Sequence, residues 1–552
     1  MRYSAFPLLF LAASCAAPEG RPASQAPARV AASISLDTLK TVTQRLSSDE
    51  FEGRAPTTPA EQKSIAYISE RFAAAGLRPG NKGGWFQPVQ LVETNATPTP
   101  LTITGGKQPL SFGYRTDMVV ASYQVQPRIE VTDSDVVFVG YGINAPERNW
   151  NDYADLDVRG KTVIVLVNDP DYQTKSLEGP FEGRAMTYYG RWTYKYEEAA
   201  RQGAAAVFIV HDTEPAAYGW NVVQSSWTGP QYNMDDPGNH MDKSKAIGWL
   251  TNDAARRLMA SAGQDLDALS AAAKRPGFKA VPLGLRASIG MTNMIKRQAS
   301  NNVVGILPGK TRPNEYVLYT AHWDHLGRCD AAPDGDNICN GAIDNATGVA
   351  ALVALAEAHV KAGPPARSIV FLAVTAEESG LLGSKYYAEN PIYPLASTVG
   401  GVNMDALSVA GPSRDMVIVG AGKSELEDYV RRAVEAEGRI LVPEPTPERG
   451  YYYRSDHFSF ARQGVPMAYF EAGEDLVKGG RAAGAAAAEA YIANRYHGPK
   501  DEYDPNWDWS GTIQDIQLFY TIGRQLAESN AWPNWNPTAE FRAIRDKSRA
   551  GR

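Results

Sequence analysis

Apolar and polar positions along this chain follow two rhythms, one helical and one strand-like. Leu36, Leu39, Val42 and Leu46 recur at helical spacing, and Ile65, Ala66, Ile68, Phe72 and Leu77 repeat the pattern. This predicts two helices between 35 and 77, separated by a loop at Glu52-Gly53-Arg54-Ala55-Pro56. After about Thr116 short apolar runs at 136–142, 161–167 and 205–210 read as strands, with a helix over 194–202. No catalytic residue types cluster between Thr116 and Ala287, where His211 and His240 stand alone, so this stretch reads as a separate non-catalytic domain. From Ser300 strands at 302–307, 316–320, 368–374, 399–404, 416–419 and 466–470 alternate with helices, among them 347–362 and 512–529. The alternation implies an α/β sandwich whose central sheet is largely parallel and covered by helices. The alanine-rich run 482–493 reads as a helix or a mobile surface segment, and no internal repeat is visible.

Composition narrows the class. Of 552 residues, 43% are hydrophobic and 21% charged, which provides for packed cores and excludes a disordered or collagen-like chain. A net charge of −7 argues against a nucleic-acid partner. Arg2 followed by the apolar run Phe6 to Ala13 and by Ser14-Cys15 reads as a signal peptide. Leu11-Ala12-Ala13-Ser14-Cys15 resembles a bacterial lipoprotein box, which would make Cys15 the site of a lipid anchor and place the protein in the cell envelope or outside the cell. Residues 16–34, rich in Ala and Pro, read as a linker. Export leaves Cys329 and Cys339, an even number suited to one disulfide.

In open α/β sheets functional side chains gather at the carboxyl ends of strands. His322, Asp324 and His325 follow one predicted strand, Glu377 and Glu378 a second, Asp405 a third, and Asp456 and His457 lie near a fourth. Asp344 stands at a helix start. Imidazoles and carboxylates without thiolates suit Zn²⁺, and so large a set suggests two ions sharing a carboxylate. Val419-Gly420-Ala421-Gly422-Lys423-Ser424 is no phosphate loop, since the first glycine of that pattern would fall at Val417. Neither a GxSxG elbow nor an HExxH motif occurs.

His322-Trp323-Asp324-His325-Leu326-Gly327, Asn340 to Gly348, Thr375-Ala376-Glu377-Glu378-Ser379-Gly380, Asn403-Met404-Asp405 and Ser455-Asp456-His457 together resemble the ordered motifs of the co-catalytic dizinc aminopeptidases, the bacterial leucyl-aminopeptidase type related to glutamate carboxypeptidase and the transferrin receptor. The stretches Val139 to Glu147 and Asp157 to Lys161 are similar to the protease-associated domain often inserted in that family. The resemblance implies a mixed, largely parallel sheet of the zinc exopeptidase fold, with a catalytic domain in two parts, 35–115 and 288–545, around a β-rich insert at 116–287. It implies His322, Asp344 and Asp405 on one zinc and Asp344, Glu378 and His457 on the other. Asp324 would orient His322, Glu377 would be the general base, and the substrates would be peptides. Spacing alone does not decide which of Glu377 and Glu378 is ligand and which is base.

Some relatives carry a Tyr directly before the last ligand His; here Asp456 takes that place, with Tyr451, Tyr452 and Tyr453 just upstream. His325 is expected to be structural, His497 to line the pocket without binding metal, and Asp330, Asp334 and Asp336 to form an acidic turn. The insert, lying between the two catalytic segments, is expected to limit access to the cleft. A carboxypeptidase, a dipeptidase, a glutaminyl cyclase or a non-catalytic receptor on the same scaffold are the alternatives to an aminopeptidase.

Overall fold

The computed structural model describes residues 33–550 apart from residue 538; the expected signal peptide 1–15 with Cys15, and nearly all of the expected linker 16–34, lie outside the described residues. Eight strands matter for the site: β1 (Phe86–Pro98), β2 (Val281–Leu307), β3 (Arg312–His322), β4 (Arg367–Val374), β5 (Thr398–Asn403), β6 (Asp415–Ile418), β7 (Ile440–Pro443) and β8 (Met467–Ala472). The central sheet runs β2-β4-β3-β5-β8-β6-β7. Strands β4, β3, β5 and β8 are mutually parallel, β2 and β6 run against their neighbours β4 and β8, and β7 is parallel to β6. This is the mixed, largely parallel sheet that the pattern implied.

Alternation along β3 shows how the sheet is sandwiched, because successive side chains face opposite ways. Val317, Tyr319 and Ala321 enter one core together with helices α1 (Leu36–Leu46), α2 (Pro59–Ala74), α3 (Thr347–Lys361) and α8 (Trp509–Glu528). Leu318 enters the other, with Tyr387 of α4 (Leu382–Glu389) and Phe460 of α6 (His457–Arg462). Helix α5 (Leu426–Ala436) adds Val430 and Val434 to the first core. Helix α3 is apolar nearly all round because it lies between the sheet and α1. The alanine-rich run is helix α7 (Gly480–Asn494), most of whose side chains are exposed. No helix among the described residues is long and apolar enough to cross a membrane.

A second body is built on two apolar clusters of residues between 101 and 291, one around Phe138, Phe208 and Met291 and one around Val163, Ile209 and Trp249. Its strands Thr162–Leu166, Ala206–Val210 and Ala246–Leu250 are parallel. The expected limits at 116 and 287 fall inside this body: Leu101, Ile103 and Phe112 before them, and Ile289 and Met291 after, are buried in its core. The reason is β2, which spans 27 residues and serves both bodies. Its first part pairs with Arg128–Phe138, its middle with β1, and its last five residues with β4. Cys329 and Cys339 lie at disulfide distance, with Cα atoms 5.9 Å apart.

Candidate metal centre

Most of the predicted polar residues meet at the carboxyl edge of the central sheet. His322 ends β3, Glu377 and Glu378 follow β4, and Asp405 follows β5. Asp344 sits in the kinked turn Ala342–Ala346 that leads into α3. One oxygen of Asp344 lies 3.2 Å from His322 Nε2, which is also 3.1 Å from Asp405 Oδ1 and 4.0 Å from Glu377 Oε2. Donor atoms of His322, Asp344 and Glu378 all fall within 4.8 Å of one another.

His457 does not join this group. Its ring is fully buried between those of Tyr452 and Tyr469, with centroids 4.9 and 4.6 Å away, and it makes no ion pair with the clustered carboxylates among the described residues. His497 takes the place expected for it. This histidine follows α7, and its Nε2 lies 3.0 Å from Glu378 Oε2 and 3.5 Å from the second oxygen of Asp344. The tyrosine directly before His497 is Tyr496, whose ring centroid lies 3.9 Å from that of His497 with the rings tilted by 31°. A signal was present in Tyr496-His497, where Tyr directly precedes His; Asp456-His457 lacks it. His325, expected to be structural, contacts the cluster directly, with Nδ1 2.5 Å from Glu378 Oε1.

Buried polar residues hold the set in place. The Asp324 carboxylate accepts the backbone N–H groups of Glu377 (3.1 Å) and Glu378 (3.4 Å), while its backbone carbonyl lies 3.1 Å from His322 Nδ1, closer than its carboxylate at 3.9 Å. Ser455 donates to Asp405 at 2.6 Å. Asp501 accepts the N–H groups of Ile343 and Asp344. Arg54, fully buried, donates to the carbonyls of Leu46, Trp323, Asn340 and Gly341, so one guanidinium ties α1 to two loops of the site. Arg54 and Asp501 had no sequence signal beyond lying in a loop and near a histidine.

The electrostatics identify what the pocket lacks in its own side chains. Burial opposes a charge on His322 and His497, yet Asp405 and Glu377 raise the first well above its usual value, and Glu378 and Asp344 bring the second to about 10. Burial also opposes ionisation of Glu378, but His497 and His325 draw it down to about 2. Glu377 goes the other way, raised by burial and by Asp405 and Glu378. Imidazoles driven toward their cationic form by surrounding carboxylates mark a donor set with surplus negative charge. Buried charge of one sign requires counter-charge, and nitrogen and oxygen donors without sulfur fit a divalent cation such as zinc.

The cluster opens into a cavity of about 1540 Å³ whose wall comes from both bodies, Glu377, Asp405 and His497 from one and Arg191, Tyr218 and Ser226 from the other. Buried imidazoles and carboxylates gathered at the carboxyl edge of such a sheet define a candidate metal centre as the class of site. Residues 302–521, which hold every clustered residue, match the sequence model of peptidase family M28. Aminopeptidase NAALADL1 of Mus musculus is 32% identical over 139 residues, 24% of this chain and 17% of that protein. The glutamate carboxypeptidase 2 homolog of Caenorhabditis elegans is 30% identical over 138 residues, 24% of this chain and 16% of that one. The chain thus matches about a sixth of the length of these curated relatives. The solved aminopeptidase from Aneurinibacillus sp. strain AM-1 shares the fold, with a TM-score of 0.52 at 19% identity over 90% of this chain and 95% of that one. The resemblance read from the motifs is borne out: the segment carrying the site is similar to the peptidases of family M28.

Proposed function

We propose that the protein is an exported zinc-dependent exopeptidase, an aminopeptidase that releases N-terminal residues from peptides. The observation that carries a two-ion centre is the disposition of Asp344. One of its oxygens faces His322 and the other faces His497, as a carboxylate shared by two cations would. His322, Asp344 and Asp405 would hold one ion, and Asp344, Glu378 and His497 the other. Two such ions supply Lewis acidity toward the scissile carbonyl and a nucleophile from water near neutral pH.

The remaining work falls to side chains of the chain. Glu377 stands beside these residues, 4.0 Å from His322 Nε2, and burial raises its affinity for a proton, as suits a general base. It takes a proton from the attacking water and returns it to the leaving amine. Tyr496 lines the same cavity next to His497 and can donate to the carbonyl oxygen as charge develops there. The name of the Mus musculus relative supports an aminopeptidase. The test is hydrolysis of aminoacyl-anilides and of peptides with free and blocked amino termini. Cleavage confined to free termini is expected, and equal cleavage of blocked peptides sinks the aminopeptidase reading.

Arg191 favours a second reading. Its side chain is buried in the cavity wall and pairs with no carboxylate among the described residues, so it can receive a carboxylate of the substrate. Short peptides would then be held by their C-terminal end, as in a dipeptidase or carboxypeptidase. Loss of dipeptide turnover but not of anilide turnover in Arg191→Met would favour it. Export rests on the signal-like segment ending at Cys15, and Cys15→Ser is expected to abolish incorporation of labelled lipid.

A further inference from the structure

We infer that Ser226, a residue of the second body, positions His497 for metal binding, so that the body outside the matched peptidase segment completes the metal centre. Ser226 closes the short helix Trp220–Ser226, and its Oγ lies 3.1 Å from His497 Nδ1 across 271 residues of chain. The opposite nitrogen of the same ring, Nε2, points at Glu378 and Asp344. A neutral histidine that offers Nε2 to a cation carries its proton on Nδ1, and that proton needs an acceptor. Ser226 Oγ is the acceptor the structure provides.

The need for such a partner follows from where His497 sits. Unlike His322, which ends a central strand, it lies in the loop after α7, with a backbone φ of 56°. Tyr496 lies against one side of the ring, tilted by 31°, a contact that leaves rotation within the ring plane free. A hydrogen bond at the outer nitrogen removes that freedom and selects the tautomer. Ser226 is itself anchored from the second body: Gln231 Nε2 donates to its carbonyl at 3.2 Å, and the adjacent Trp227 is buried in the cluster around Trp249.

This inference rests on the two-ion reading above, and the experiment separates the two. Zinc content and the rate of zinc transfer to a colorimetric chelator are measured for the whole protein and for Ser226→Ala, Ser226→Thr and Ser226→Val, the last matching threonine in shape but lacking its hydroxyl. The whole protein is expected to hold two zinc ions. Alanine and valine are expected to weaken one of them 10–100-fold, as loss of a ligand's outer partner does, while threonine retains it. Thermal unfolding of the metal-free proteins is expected to be unchanged among all four. Should alanine prevent folding, the threonine and valine proteins decide, since they differ only by the hydroxyl. Equal zinc transfer from valine and threonine proteins overturns the role of Ser226 and leaves the centre standing. A lower unfolding temperature with unaltered zinc affinity reduces the bond to a tie between the two bodies and overturns it as well. A whole protein without tightly held zinc overturns both readings.

Discussion

Glu377 and Glu378 are adjacent in sequence but differ in what they face. Glu378 meets two imidazoles, His325 and His497, whereas Glu377 looks toward the edge of His322 at 4.0 Å. Sequence spacing left their roles open, and only this difference in surroundings separates a ligand from a base. On the proposed two-ion reading, Glu377→Gln is therefore expected to leave zinc content unchanged and lower kcat by about 10²–10⁴-fold, whereas Glu378→Gln is expected to lose zinc. Equal zinc loss in both variants, measured by metal analysis beside kinetics, would remove the distinction. Residues that end a strand were legible because strand periodicity locates the end, which is how His322, Glu377, Glu378 and Asp405 were found. His497 follows an alanine-rich helix that offers no amphipathic pattern, so nothing in the rhythm of the chain marked the position. His457 misled because it begins a helix beside a strand, yet its ring packs among tyrosines.

Two elements carry consequences of their own. Arg54 sits in the loop between α1 and α2 and satisfies four carbonyls from three separate parts of the chain. Arg54→Met would leave those acceptors unpaired in a dry interior, and each unsatisfied group costs about 1–3 kcal/mol. The expected loss of stability is more than about 3 kcal/mol in urea unfolding, and a loss below about 1 kcal/mol would show that water replaces the guanidinium. In α3, His359 is fully buried and shares a hydrogen bond of 3.0 Å with the Tyr319 hydroxyl. Burial pushes its pKa down to about 3, with Arg524 adding to the shift. A histidine lowered in the folded state stabilises it above the ordinary value near 6.5 and loses that contribution as pH falls toward about 3, by about 1.4 kcal/mol per unit. His359→Gln is expected to show an acid unfolding slope shallower by one proton between about pH 6 and pH 4. An unaltered slope would mean that His359 is already protonated in the fold.

At the scale of the whole molecule, the two bodies share a strand and a cavity, so neither is a passive attachment. The alternation of strands and helices reveals the central sheet, but not that β2 runs on through both bodies, because only its end, 302–307, reads as a strand in the sequence. The second body also begins before the expected limit at 116, since Leu101, Ile103 and Phe112 already belong to its core. Metal removal should be felt globally, since the residues proposed as ligands are spread over positions 322 to 497. A chelator is expected to abolish activity and lower the unfolding temperature, with both restored by zinc. The central claim is that His497, not His457, completes a centre for two cations, and zinc analysis of His497→Ala and His457→Ala tests it most directly. The expected result is about two ions per chain in the parent protein and in His457→Ala, and one or fewer in His497→Ala. Zinc lost from His457→Ala and kept by His497→Ala would contradict the account.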